Sequence, residues 1–200
     1  MAEKFTQIVT DAGVAVYPHL RTTEVFDGED TGKFACSILL DKAGTDKLLA
    51  RIEQEWETAK ASAAFDGKRF SKQSMPAMGY HEDKDGNIVF KAKTNAVLRT
   101  KAGEVINKTV PVFDGNGKPF AADVEVGNGS TIRLCLLLRP FYGSATIYGI
   151  QLLLKAVQVL KYVEPSMGGV SAVDCGFDCM AEAESADVVP FASDTVDADF

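Results

Sequence analysis

The feature that most constrains the fold is the stretch 131–163, TIRLCLLLRPFYGSATIYGIQLLLKAVQVLKYV. Its first part alternates, and every second residue is a large aliphatic one: Ile132, Leu134, Leu136 and Leu138. Strict alternation is typical of a strand with one buried face. The other face carries Arg133 and Arg139, and Gly143-Ser144 predicts a reversal of the chain. This part of the sequence therefore predicts a strand that enters a tight turn.

The second half of the stretch, 146–162, fits two kinds of element. Its apolar residues at 150, 153, 154 and 157 would also form one face of a helix. The preceding turn and the β-branched and aromatic residues favour a strand that pairs back on the first. We interpret the whole stretch as a β-hairpin, although periodicity alone leaves the helix open.

Composition limits the class of protein. Two hundred residues suit one domain with an appendage, and 46% hydrophobic residues are enough for a core. No apolar run reaches the ~18–20 residues that span a bilayer, and the first residues lack a signal-peptide pattern. We expect a cytoplasmic protein. The sequence holds four cysteines, which we expect to be reduced.

Charge is distributed unevenly along the chain. The formal net charge is −7, but residues 164–200 hold nine carboxylates and no Lys or Arg, whereas residues 68–118 hold ten basic and five acidic side chains. We therefore predict a mildly basic domain, 1–163, and an acidic C-terminal tail, 164–200, that is disordered.

The remaining patterns predict a mainly β fold. Lys33–Leu40 and Ile88–Asn95 alternate as strands, and a helix is predicted from an N-cap at Thr45 to about Ala63. Trp56 lies on the apolar stripe of this helix, so we expect it in the core. Five or more antiparallel strands with one inserted helix fit a closed barrel of the oligonucleotide/oligosaccharide-binding (OB) kind.

No catalytic constellation is visible, so we predict a protein without enzymatic activity, metal or cofactor. The sequence lacks a phosphate-binding Gly-Lys-Ser/Thr loop and a nucleophile elbow. Asp83 and Asp85 would suit a metal-dependent nuclease, but beside Gly86-Asn87 they are better explained as turn formers. Cys175 and Cys179 lack two further zinc ligands nearby; a redox or oligomer-linking role stays open.

Cations and aromatic rings cluster on the predicted hairpins, which favours single-stranded nucleic acid as a partner. The phosphate-binding candidates are Lys91, Lys93, Arg99, Lys101, Arg133 and Arg139. The base-stacking candidates are Phe141, Tyr142 and Tyr148. Stacking on aromatic side chains tolerates any sequence because every base has a π-face. The alternative is a β-barrel adaptor that binds protein partners through its acidic tail, without contacting DNA.

The segment Tyr148-Gly149-Ile150 to Leu160, preceded by Arg139-Pro140, resembles the last strands of tailed-phage single-stranded DNA-binding proteins. The acidic end with its terminal phenylalanine, Asp197 to Phe200, is also similar to that family. The resemblance implies an OB fold with one long inserted helix, and a strand over 146–162. It also implies a non-catalytic protein that coats single-stranded DNA in phage replication, recombination and repair.

Further properties are implied by the resemblance alone. The tail, through Asp197, Asp199 and Phe200, would recruit the phage DNA polymerase and primase-helicase, and it would compete with DNA for the basic groove. The protein would form a homodimer in the host cytoplasm.

Overall fold

The computed structural model describes residues 5–100 and 103–165. This part of the chain contains one α-helix, α1 (Lys42–Lys60), a 3₁₀ turn over Ala63–Phe65, and twelve strands. The strands are β1 (Thr6–Val9), β2 (Gly13–His19), β3 (Val25–Phe26), β4 (Glu29–Asp30), β5 (Lys33–Leu40), β6 (Tyr80–Glu82), β7 (Ile88–Asn95), β8 (Val97–Arg99), β9 (Val105–Asn107), β10 (Val112–Phe113), β11 (Thr131–Ser144) and β12 (Ile147–Lys161). The predicted disordered tail and the predicted boundary at residue 163 depend on residues 166–200, which lie outside the described part.

Five strands close into a barrel in the order β2–β5–β7–β12–β11, with β11 pairing back on β2. This is the strand order of an OB barrel, and it confirms the predicted mainly β fold with an inserted helix. The pairing is antiparallel except that β12 runs parallel to β7 and to the short strand β10. A long crossover separates the partners in both parallel pairs, as parallel strands require.

The hairpin β11–β12 is the longest element pair, and it settles the ambiguity of residues 146–162 in favour of a strand. Arg139 lies opposite Gln151, and Tyr142 opposite Tyr148. The alternating aliphatic residues of β11 point into the barrel and are completely buried: Ile132, Leu134, Leu136 and Leu138. The interior pattern predicted for β11 is therefore confirmed.

Helix α1 begins three residues earlier than the predicted N-cap at Thr45. Asp41 is the N-cap instead, because its carboxylate accepts a hydrogen bond of 2.7 Å from the backbone N–H of Gly44. The helix ends at Lys60 rather than near Ala63, and the Ser62 hydroxyl donates to the carbonyl of Ala59. Trp56 is only 5% exposed, so its predicted place in the core is confirmed. No helix in the described ranges is long and apolar enough to cross a membrane.

Candidate nucleic-acid interface

A groove of about 680 Å³ crosses the outer face of β2, β5 and β7, and we refer to it as the β5–β7 groove. The hairpin β3–β4 and the turn between β6 and β7 also contribute to its walls. Its lining consists of Val16, Tyr17, His19, Glu24, Val25, Phe26, Ser37, Leu39, His81, Asp83, Lys84, Asp85, Val89 and Lys91. In OB barrels, oligonucleotides bind to the face of the second and third strands, to the loop between the first two strands and to the loop between the last two. Here those elements are β5 and β7, the segment that contains β3–β4, and the turn between β11 and β12.

Two aromatic rings in this groove are open to solvent. Tyr17 is 71% exposed and Phe26 is 73% exposed. Phe26 precedes the turn of hairpin β3–β4, where Asp27 and Gly28 have φ values of 53° and 80°. Two successive positive φ values are typical of the type I′ turn, which fixes a tight hairpin. Exposed rings held on a defined backbone can stack on unpaired bases.

The Tyr17 ring is exposed because the backbone of β2 is irregular at this residue. The pairing of β2 with β5 shifts register between Val16 and His19, and Tyr17 has a φ of 47°. The N–H of Tyr17 donates to the side-chain oxygen of Asn128. A bulky residue at positive φ is strained, and such strain is concentrated at functional sites. Irregularities of this kind also change the direction in which a side chain points.

Lys91 and Lys93 lie on the outer face of β7, on the side opposite the buried Phe90 and Ala92. In the free protein both ammonium groups contact one carboxylate. Lys91 Nζ lies 2.6 Å from Glu24 Oε1, and Lys93 Nζ lies 2.9 Å from Glu24 Oε2. Burial alone would raise the pKa of Glu24, but the hydrogen bonds and charges of the two lysines outweigh it and lower that pKa.

Charge in the groove is nearly balanced. The lining includes two lysines, Lys84 and Lys91, and three carboxylates, those of Glu24, Asp83 and Asp85, so it does not form a strongly basic surface. Asp83 has a structural role: its carboxylate accepts hydrogen bonds from the backbone N–H groups of Asp85 and Asn87, at 2.9 and 2.8 Å. These bonds confirm the prediction that the aspartates form the turn. The hydrogen bonds from Asn87 are the main reason that the pKa of Asp83 is lowered.

The aromatic residues predicted to stack on bases lie elsewhere. Tyr148 is 5% exposed and stacks on Trp56, with ring centroids 5.7 Å apart. Its hydroxyl donates to the carbonyl of Ser74 at 2.6 Å. The expectation of a free Tyr148 ring is therefore wrong for this conformation, because the end of the β11–β12 hairpin packs against α1 and the loop after it.

Tyr142 and Phe141 are half-buried near the same end of the hairpin. The Tyr142 hydroxyl donates to the carbonyl of Arg69 at 2.9 Å, and Lys68 Nζ lies 4.8 Å from the ring centroid. Tyr142 also makes an edge contact with Phe70 at 5.9 Å. Most of its ring surface is thus used within an aromatic cluster formed by Trp56, Phe65, Phe70, Tyr142 and Tyr148.

The predicted arginines share a strand face but do not lie in the β5–β7 groove. Arg133 and Arg139 are both on the outer face of β11, which β12 separates from β7. Arg133 Nε donates to the carbonyl of Thr10 at 3.2 Å. The guanidinium of Arg139 lies 5.8 Å from the centroid of the Phe5 ring. Arg99 is exposed on the separate hairpin β8–β9, and Lys101 lies outside the described residues.

Comparison with known families identifies the class of protein. Residues 28–162 match the family described as single-stranded DNA-binding protein of bacteriophage T7. The chain belongs to this family. The match covers the groove-forming strands β5 and β7 and the hairpin β11–β12, and it confirms the tailed-phage single-stranded DNA-binding resemblance of the sequence.

Solved structures of phage single-stranded DNA-binding proteins share the fold. The crystal structure of gp2.5 of bacteriophage T7 has a TM-score of 0.66 and 18% identity, and the match covers 92% of this chain and 100% of that one. The bacteriophage Enc34 protein in complex with single-stranded DNA has a TM-score of 0.57 and 16% identity, with 80% of this chain and 88% of that chain covered. A comparison with curated protein sequences finds no match.

Sequence reasoning missed Tyr17 and Phe26, the two free rings of this family member's groove. A signal was present for each. Phe26 directly precedes Asp27-Gly28, a strong hairpin-turn pair, and Tyr17 precedes Pro18 within a strand pattern. Both features place an aromatic residue where the backbone reverses or bulges. The predicted tail residues Asp197, Asp199 and Phe200, and the pair Cys175 and Cys179, lie outside the described residues.

Proposed function

We propose that this protein binds single-stranded DNA without sequence preference along the β5–β7 groove. The observation that carries the proposal is the pair of free rings, Tyr17 and Phe26, on the OB face that also presents Lys91. Each base stacked on such a ring contributes about 1–3 kcal/mol. Lys91 and Lys93 hold phosphates beside the stacked bases.

In this proposal, cations outside the groove extend the path of the bound DNA strand. Lys93 pairs with Leu153 of β12, and β12 pairs with the strand that carries Arg133 and Arg139. A DNA strand that leaves the groove across β12 therefore reaches these guanidinium groups next. Further contacts along the same path are made by Arg99 on β8, Lys101 after it, and the partly exposed Phe141 and Tyr142.

We also propose the role that follows from such binding. The protein coats single-stranded DNA during phage replication and recombination in the host cytoplasm, and it acts without catalysis, metal or cofactor. It forms a homodimer, and its acidic tail recruits the phage polymerase and primase-helicase through Asp197, Asp199 and Phe200. The nine carboxylates of residues 164–200 support competition between the tail and DNA phosphates.

One titration tests both the ligand and the tail. Fluorescent oligo-dT and a matched duplex are each titrated at two salt concentrations with the whole chain and with a chain that lacks residues 180–200. We expect oligo-dT to bind far more tightly than duplex, and the shortened chain to bind oligo-dT more tightly than the whole chain. Equal affinity for the two DNA forms would contradict the proposed function.

The comparison between the whole chain and the shortened chain tests tail competition separately. Equal or weaker binding of oligo-dT by the shortened chain would contradict tail competition while leaving single-strand binding intact. Absence of DNA binding by both chains would instead favour the adaptor hypothesis.

A further inference from the structure

Glu24 is an unusual carboxylate among the ion pairs of residues 5–100 and 103–165. Its side chain is 11% exposed, whereas the carboxylates of the other two pairs, Asp11 and Glu57, are 42% and 69% exposed. Each of its oxygens contacts a different lysine ammonium. The nearly buried carboxylate of Glu24 thus forms ion pairs with both lysines on the outer face of β7.

The backbone of Glu24 is fixed in place. Its N–H donates to the carbonyl of Lys33 at 2.8 Å, and its carbonyl accepts from the N–H of Thr31 at 2.9 Å. Glu24 therefore lies at the base of hairpin β3–β4, and its contacts with the lysines break by rotation of these side chains rather than by movement of the Glu24 backbone. The lysine side chains are more accessible, at 35% and 33% exposure, so a phosphate can approach them from solvent.

We propose that the Glu24 carboxylate takes the place of a DNA phosphate in the free protein. It pairs there with Lys91 and Lys93, and these ion pairs must break when single-stranded DNA binds. The inference rests on the proposed function of the β5–β7 groove. It adds a competitor that belongs to the folded domain itself and is separate from the acidic tail.

The chemistry of the contact supports this role. Carboxylate and phosphate oxygens make the same kind of charge-assisted hydrogen bond with an ammonium group. When the lysines turn toward a phosphate, Glu24 loses its partners while it remains mostly shielded from water, which is unfavourable. The affinity of the groove for DNA is therefore lower than two free lysines would give. The counterions released on binding come from the DNA phosphates, so the pairing lowers the affinity without changing the number of phosphate contacts.

The test compares Glu24→Gln with Glu29→Gln in the full chain. Glu29 is exposed, lies in the same hairpin opposite Phe26, and makes no ion pair among the described residues, so its substitution is matched in charge. Binding of fluorescent oligo-dT is measured over a series of salt concentrations. We expect E24Q to bind at least about threefold more tightly than E29Q at low salt. Its salt slope should match that of E29Q, because both variants bring the same lysines to DNA phosphates.

Three outcomes would overturn the inference. If E24Q and E29Q bind alike while both bind oligo-dT, Glu24 does not compete, and the proposed function stands. If E24Q binds more weakly than E29Q, Glu24 orients the lysines for DNA rather than occupying them. If no variant binds oligo-dT, the proposed function fails together with the inference.

A second measurement does not depend on folding of the variant. The carboxyl carbon of Glu24 is titrated by NMR in the wild-type chain, with and without oligo-dT. We expect the pKa of Glu24, which the lysines lower, to rise toward its ordinary value when DNA takes the lysines. Asp30, in the same hairpin, is the internal control, since its lowered pKa comes mainly from the N–H of Gly32. Equal changes at Glu24 and Asp30 would contradict displacement.

Discussion

At the scale of single residues, Tyr17 combines an unfavourable backbone conformation with a position in the proposed DNA-binding groove. Its positive φ is unfavourable for a bulky side chain, and its ring gains little packing energy because it is 71% exposed. Stability of the fold therefore gives no reason for a tyrosine at this position. Base stacking does give one, since it requires a ring that the fold leaves free.

Substitution Tyr17→Gly should separate stability from binding. Glycine adopts positive φ without strain, and this gain offsets its larger chain entropy when unfolded, so we expect the free energy of unfolding to be unchanged or to rise by up to about 1 kcal/mol. Affinity for oligo-dT should fall by about 5- to 150-fold, the equivalent of one stacked base. Urea denaturation and a fluorescence titration measure the two effects.

Two control variants make this result specific. Tyr17→Phe keeps the ring and should bind oligo-dT as the wild type does. Leu160→Ala removes an apolar side chain that is 44% exposed outside the groove, and it should also leave binding unchanged. Wild-type affinity of Tyr17→Gly for oligo-dT would contradict a stacking role for this residue.

At the scale of elements, the close contact between β12 and the segment before β6 holds the end of the barrel together. The N–H of Ala77 donates to the carbonyl of Tyr148, and the N–H of Ile150 donates to the carbonyl of Ala77, both at 2.8 Å. Gly149, between these bonds, has a φ of 145° and no space for a side chain against the Ala77 backbone. This contact keeps the Tyr148 ring against Trp56.

Gly149→Ala should therefore destabilise the protein by about 2–4 kcal/mol, because a methyl group would push the Ala77 backbone away and strain φ. Gly143→Ala, in the same hairpin, is the matched control. A Cβ at Gly143 would lie 3.4 Å from its nearest neighbour, the carbonyl oxygen of Ile147, so we expect a much smaller effect. Urea denaturation of both variants checks this, and equal stabilities would contradict the account of the contact.

Element patterns in the sequence were informative where one face of a strand is buried. Strands β5 and β7 have the predicted bounds, and their predicted apolar faces are buried, although Ala35 and Ser37 on the other face of β5 are buried too. The alternation in β12 likewise indicates that the Tyr148 ring is buried, because Tyr148 shares the inward face of this strand with Ile150 and Leu152. The predicted start of α1 is wrong because the side chain of Asp41, rather than that of Thr45, accepts the capping hydrogen bond, which comes from the N–H of Gly44.

At the scale of the whole molecule, the site depends on contacts between residues far apart in sequence. Glu24 contacts Lys91 and Lys93 at separations of 67 and 69 residues. No local pattern indicates that these lysines are already paired, so counting cations along the chain overestimates how basic the groove is. The partition of charge between residues 1–163 and 164–200 is different, because it is a property of composition alone.

The location of the DNA is the central claim, and ultraviolet crosslinking of oligo-dT to the whole chain tests it most directly. After trypsin digestion, Tyr17 lies in peptide 5–21 and Phe26 in peptide 22–33, whereas Phe141, Tyr142 and Tyr148 share peptide 134–155. We predict that mass spectrometry finds thymine adducts on Tyr17 and Phe26. Adducts confined to peptide 134–155 would contradict binding in the β5–β7 groove.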